Sequence, residues 1–166
     1  MSVIDEALKA NEMYAQHFNA DLGRPPSPKL VIVTCMDPRL THISEMLGLE
    51  TGDADMIRNA GSAITEDSLR SLLVSTRVLG TQEIMIINHT DCGMLTFKDE
   101  ELDAKLQKLT GTAAVAPACF YSFTDLVENT REQVQKVKSH PWIAKDIPVR
   151  GFVYDVNTGK MQEVTV

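Results

Sequence analysis

The sequence predicts an α/β fold: a mainly parallel central sheet with flanking helices and a C-terminal antiparallel strand. Three observations carry this. LVIVTC, residues 30–35, is too short and too uniformly apolar for a surface helix, and its β-branched content suits a central strand covered on both faces. Two further strand-like runs, ADMIRN at 54–59 and EIMIINH at 83–89, alternate with helical patterns, which implies right-handed crossovers and parallel pairing. Finally, 150–156 and 160–166 flank Asn157-Thr158-Gly159, a hairpin turn signature.

Residues 3–18 place Ile4, Leu8, Ala15 and Phe18 at roughly helical spacing, and the breaker-rich DLGRPPSPK at 21–29 reads as a connector. A short helix is expected over His42 to Leu47 after the first strand. The second strand ends in the turn Asn59-Ala60-Gly61. Thr65 or Asp67 then caps a helix whose LRSLLVSTRVL pattern stops at Gly80. Beyond Met94 come a charged helix over about 99–109 and a small-residue loop, TGTAAVAPAC. Residues 122–138 read as a helix that turns Leu126, Val134 and Val137 to the core, with Pro141 closing the segment.

At 166 residues the whole chain, 1–166, is expected to form one domain with a real core. A net charge of -7 excludes a basic stripe for nucleic acid. Apolar runs such as LVIV and IMII are only four residues long, far short of the ~20 that a membrane span needs. The acidic start, MSVIDEAL, lacks the basic region of a classical signal. Three cysteines, at 35, 92 and 119, make no even framework, so free or metal-bound thiols and a cytoplasmic location are expected.

The chemistry gathers at two strand ends. In an extended stretch alternate residues share a face, so Cys35, Asp37 and Arg39 in CMDPR project to one side. Pro38 biases Asp37 away from the helical region. At the end of the third strand, HTDCG sets His89 and Cys92 three positions apart. If the two strands are neighbours, their carboxyl ends open into one crevice where Cys35, His89 and Cys92 converge. Two thiolates and an imidazole match zinc, and three protein ligands leave a fourth position open.

These residues resemble the β-class carbonic anhydrases. CMDPR is similar to the CxDxR motif of that family and HTDCG to its HxxCG motif, with RNAG (58–61) between them. The resemblance covers roughly Lys29 to Met94 and the closing GFVYDVNTG, and the shortness of the chain is similar to the compact clade of the family. It implies one Zn2+ per subunit on Cys35, His89 and Cys92, and reversible hydration of carbon dioxide to bicarbonate by zinc-bound hydroxide. Asp37 would accept the hydroxide's hydrogen, and Arg39 would hold Asp37 ionised and oriented. Gly61 and Gly93 would let backbone approach the pocket. The resemblance also implies a homodimer or higher homo-oligomer, with the 1–28 helix and connector packing on a partner. It implies as well an off state in which Asp37 leaves Arg39 for the metal, and acidic pH is expected to favour it.

Other readings of the same residues are a carbonyl sulfide or carbon disulfide hydrolase on this fold and a non-catalytic zinc-stabilised scaffold. A metal-free cysteine hydrolase fits poorly, because CMDPR supplies too few backbone amides between Cys35 and Arg39 for a phosphatase-type loop. Cys119, His17, His42 and His140 lack ligand spacing and are read as structural, surface or capping residues, with His42 also near enough in sequence to the site to be a candidate proton shuttle. Asp91 is read as fixing loop geometry or supporting a ligand.

Overall fold

The computed structural model of the protein describes residues 2–18 and 29–166. The connector predicted over 21–29 lies outside the described residues as far as residue 28. Five strands form one sheet in the order β2-β1-β3-β4-β5. They are β1 (Leu30–Cys35), β2 (Ala54–Asn59), β3 (Glu83–His89), β4 (Val149–Tyr154) and β5 (Met161–Val164). β1 pairs in parallel with both β2 and β3, β3 in parallel with β4, and only β4 with β5 is antiparallel. β1 is therefore flanked on both edges, which explains its apolar run: Val31 through Cys35 are all buried.

The alternation of strand side chains divides the core. Val31, Val33, Ile84 and Ile86 pack with Leu72, Val134 and Val137, contributed by the helices α3 (Glu66–Val74) and α5 (Leu126–Ser139). A second cluster gathers Ile32 and Ile87 with Leu40, Ile43, Cys35, Cys92 and Met94. Gly151 lets α5 lie close on β4: a Cβ there would stand 2.8 Å from Val134 Cγ2 and 2.9 Å from Thr130 Cγ2, too near for either atom.

The remaining helices are α1 (Val3–Ala15), α2 (Ile43–Met46) and α4 (Asp99–Thr110). Thr65, not Asp67, caps α3 by accepting from the Ser68 amide. A π-helical turn over Ser75–Leu79 continues α3 to Gly80. α5 begins four residues later than the pattern at 122 suggests. Asp99 and Met94 hold the intervening backbone in another course, accepting from the amides of Ser122 and Phe123 respectively. Asp125 then caps α5 through the Glu128 amide. Among the described residues no helix is long and apolar enough to cross a membrane.

Candidate metal centre

The order of the sheet changes direction at β1: β2 follows it on one edge and β3 on the other. In an open α/β sheet this is where carboxyl ends leave a crevice for a ligand. Cys35 ends β1 and His89 ends β3, and Cys92 stands three residues on. Their sulfur and nitrogen ligand atoms all lie within 4.8 Å of one another, and all three residues are buried. Folding thus makes neighbours of groups that the sequence holds in two separate motifs.

Local contacts aim each donor. His89 Nδ1 lies 2.9 Å from the Thr90 carbonyl oxygen, so that nitrogen carries the proton and donates. The lone pair of Nε2 then faces the two sulfurs. Nε2 is buried and meets no hydrogen-bond partner of proper geometry among the described residues. Leaving a buried acceptor unmatched is costly, and a cation between the three donors removes that cost. Cys35 Sγ accepts from the Gly61 amide at 3.4 Å. A hydrogen bond from Cys92, working against burial, leads the causes that hold the Cys35 thiol below its ordinary pKa, and the same contact pushes Cys92 upward. Cysteine must be deprotonated to ligate a metal, so a divalent ion bound here would release protons from this pair. Two thiolates and one neutral imidazole suit zinc, and three protein ligands keep one tetrahedral position for solvent.

Beside the donors sits Asp37, whose Oδ2 is 3.9 Å from His89 Nε2. The expected alternation does not place it there together with Arg39. The chain leaves the sheet after Cys35, and Pro38–Leu40 forms a 3-10 turn capped by the Asp37 carboxylate, which accepts from the Arg39 amide at 2.9 Å. The turn folds the guanidinium back: Nε donates to Oδ1 at 2.9 Å and Nη2 to Oδ2 at 2.8 Å. These hydrogen bonds hold the Asp37 carboxyl well below the usual carboxylate range. Arg39 also reaches the other loop, donating from Nη1 to Asp91 Oδ2 at 2.7 Å and from Nη2 to the Asp91 carbonyl at 2.9 Å. Asp91 thereby ties the two motifs together.

Gly61 has φ +76, and a Cβ there would lie 2.9 Å from Met94 Cγ and 3.4 Å from Phe123 Cε1. The missing side chain lets its amide meet Cys35 beneath these apolar groups. Gly93 is different. A Cβ at that position would meet nothing within 4 Å, so close approach is not the reason for glycine there.

Sequence reasoning placed Arg58 in the RNAG link but gave it no role at the site. It lies at the end of β2 and donates from Nε to the Cys35 carbonyl at 3.0 Å and from Nη2 to the Asp37 carbonyl at 2.8 Å. Spacing offers no signal for contacts made to backbone oxygens. The cysteine and histidines set aside in the sequence make other contacts. Cys119 donates to Asp99, His42 pairs with Glu45 at the surface, and His140 stands against Trp142.

A carbonic anhydrase family model matches residues 30–161. The chain is 45% identical to "Beta-carbonic anhydrase 1" of Mycobacterium tuberculosis over 99% of both chains. It is 33% identical to the "Carbon disulfide hydrolase" of an Acidianus species, covering 96% of this chain and 88% of that one. Among solved structures, the carbonic anhydrase of Streptococcus mutans superposes with a TM-score of 0.89 at 43% identity, covering 99% of each chain.

Proposed function

The chain belongs to the β-carbonic anhydrase family, and from that premise we propose how its residues carry out the reversible hydration of carbon dioxide to bicarbonate. The observation that carries this reading is the gathering of the Cys35, His89 and Cys92 ligand atoms within 4.8 Å of one another, with an imidazole nitrogen that has no hydrogen-bond partner among the described residues. Zinc is the cofactor, and when bound it supplies Lewis acidity that lowers the pKa of a coordinated water to ~7.

Cys35, His89 and Cys92 would hold the ion, with the Gly61 amide steadying one sulfur and the Thr90 carbonyl fixing the imidazole tautomer. Asp37 is ionised at the rim of this triad. It accepts a hydrogen bond from the attacking solvent oxygen and turns that oxygen's lone pair toward the carbon. Arg39 keeps Asp37 in the acceptor state by donating to both carboxylate oxygens. Met94 and Phe123, packed over Gly61, place apolar surface beside the donors, which suits an uncharged linear substrate. Gly93 opens the 3-10 turn that follows Cys92 and so shapes the pocket through its backbone.

A second reading is hydrolysis of carbon disulfide or carbonyl sulfide, favoured by the 33% identical carbon disulfide hydrolase. Stopped-flow measurement of carbon dioxide hydration, paired with an assay of sulfide release from both sulfur compounds, separates the two. We expect zinc-dependent hydration to exceed sulfide release by orders of magnitude. Sulfide release without hydration would reverse the assignment.

We also propose a homodimer or larger assembly, with α1 on a partner and the chain at work in the cytoplasm. None of the α1 residues is buried, and Ile4, Leu8 and Phe18 are 72%, 60% and 57% exposed. An amphipathic helix with its apolar stripe in water calls for a covering surface. Cys35, Cys92 and Cys119 are all free thiols, in keeping with a reducing compartment. The double substitution Ile4→Glu/Leu8→Glu is expected to lower the mass seen by analytical ultracentrifugation; an unchanged mass would remove α1 from the interface.

A further inference from the structure

We propose that Arg58 is a positioning residue, whose guanidinium sets where the Asp37 carboxylate stands relative to the three metal donors. The inference deepens the functional reading above and rests on it.

Cys35 and Asp37 sit on either side of Met36, and the chain between them has just left the sheet. The Met36 amide still donates to the Asn59 carbonyl at 2.9 Å, which extends the strand pairing by one residue. Beyond it the sheet gives no further support. Arg58 supplies that support from the neighbouring strand, with one nitrogen on the Cys35 carbonyl and another on the Asp37 carbonyl, at 3.0 and 2.8 Å. The Asp37 carbonyl also accepts from the Leu40 amide at 3.0 Å, so the arginine and the turn meet on one oxygen. A planar, rigid fork that spans two carbonyls fixes the distance between them, which a single-point contact does not do. One of those carbonyls belongs to a metal donor and the other to the carboxylate that handles the hydrogen of the nucleophile. Arg39 determines which way the Asp37 carboxylate turns, whereas Arg58 determines where its backbone lies.

This arrangement makes Arg58 act on turnover through Asp37, and coupling between the two residues tests it. In the zinc-loaded chain Arg58→Gln is expected to retain zinc and to lower kcat/KM for carbon dioxide by ~10 to 100-fold, the scale of lost support around a metal site. In an Asp37→Ala background the same change is expected to cost less than ~2-fold, because the group being positioned is already gone. Arg58→Lys keeps the charge but not the fork and is expected to fall between wild type and Arg58→Gln. Hydrogen exchange followed by mass spectrometry gives a readout independent of turnover: amides in Met36–Leu40 should exchange ~10-fold faster in Arg58→Gln, with the β3 peptide unchanged.

An equal loss of kcat/KM in both backgrounds would overturn the proposal, as would unchanged exchange at Met36–Leu40. Should Arg58→Gln fail to fold, Arg58→Lys serves in the same cycle. If neither variant folds, Arg58 is a residue of general stability and the proposal fails. A wild-type chain that does not hydrate carbon dioxide would sink the functional reading instead, while the exchange result would still report whether Arg58 holds the loop.

Discussion

Cys92→Ala is expected to release the metal and to lower carbon dioxide hydration by more than ~1000-fold, because hydroxide at neutral pH depends on the ion. Cys92 is one of only two sulfur donors in the cluster, and its side chain is buried beside Cys35 and His89. Its removal leaves two ligands, too few for the tetrahedral set that zinc takes in proteins. Metal content should drop from about one zinc per chain to near zero. A bound ion stabilises only the folded state, so the melting temperature of the variant should match that of wild type treated with a chelator. A variant that kept its zinc and its turnover would show that the gathered donors are incidental.

Asp37→Ala is expected to do the opposite to the metal and nearly the same to the chemistry. Asp37 lies outside the donor triad, so zinc content should remain at about one per chain, while kcat/KM falls ~100 to 1000-fold, the range for a positioned proton-handling group. The outcome also separates an enzyme from a zinc-stabilised scaffold, which would have no turnover to lose. The pH behaviour of wild type follows from the same contacts. The Asp37 pKa is depressed chiefly by the Arg39 hydrogen bond. Stability from such a group is fully present above its unfolded value of ~3.9 and is lost only as pH falls through the lower folded value. The pair therefore adds no slope between pH 6 and pH 9, roughly the window in which the ~7 pKa of the coordinated water acts. Any change of stability in that window belongs to other groups, and a slope there that disappears in Asp37→Ala would contradict this.

The strands were legible because burial leaves a plain mark. β1 and β3 occupy residues 30–35 and 83–89 as their apolar runs indicate, since both are interior to the sheet. The candidate donors were legible because CMDPR and HTDCG each follow a strand; either motif alone is a weak signal, and the two together point to one crevice. What stayed hidden depends on contacts between distant backbone and side chains. The start of α5 shifts because Asp99 and Met94 take the amides of Ser122 and Phe123. Arg39 reaches Asp37 through a 3-10 turn rather than by strand alternation; Asp37 as its cap and Pro38 as its first residue are a local turn signal that the alternation reading passed over. Arg58 binds carbonyls, which carry no sequence identity.

X-ray absorption at the zinc edge of the metal-loaded protein tests the central claim most directly. The account predicts a first shell of two sulfurs at ~2.3 Å with one imidazole nitrogen at ~2.0 Å and a light oxygen neighbour completing four. A shell of nitrogen and oxygen alone, or a single sulfur, would contradict it.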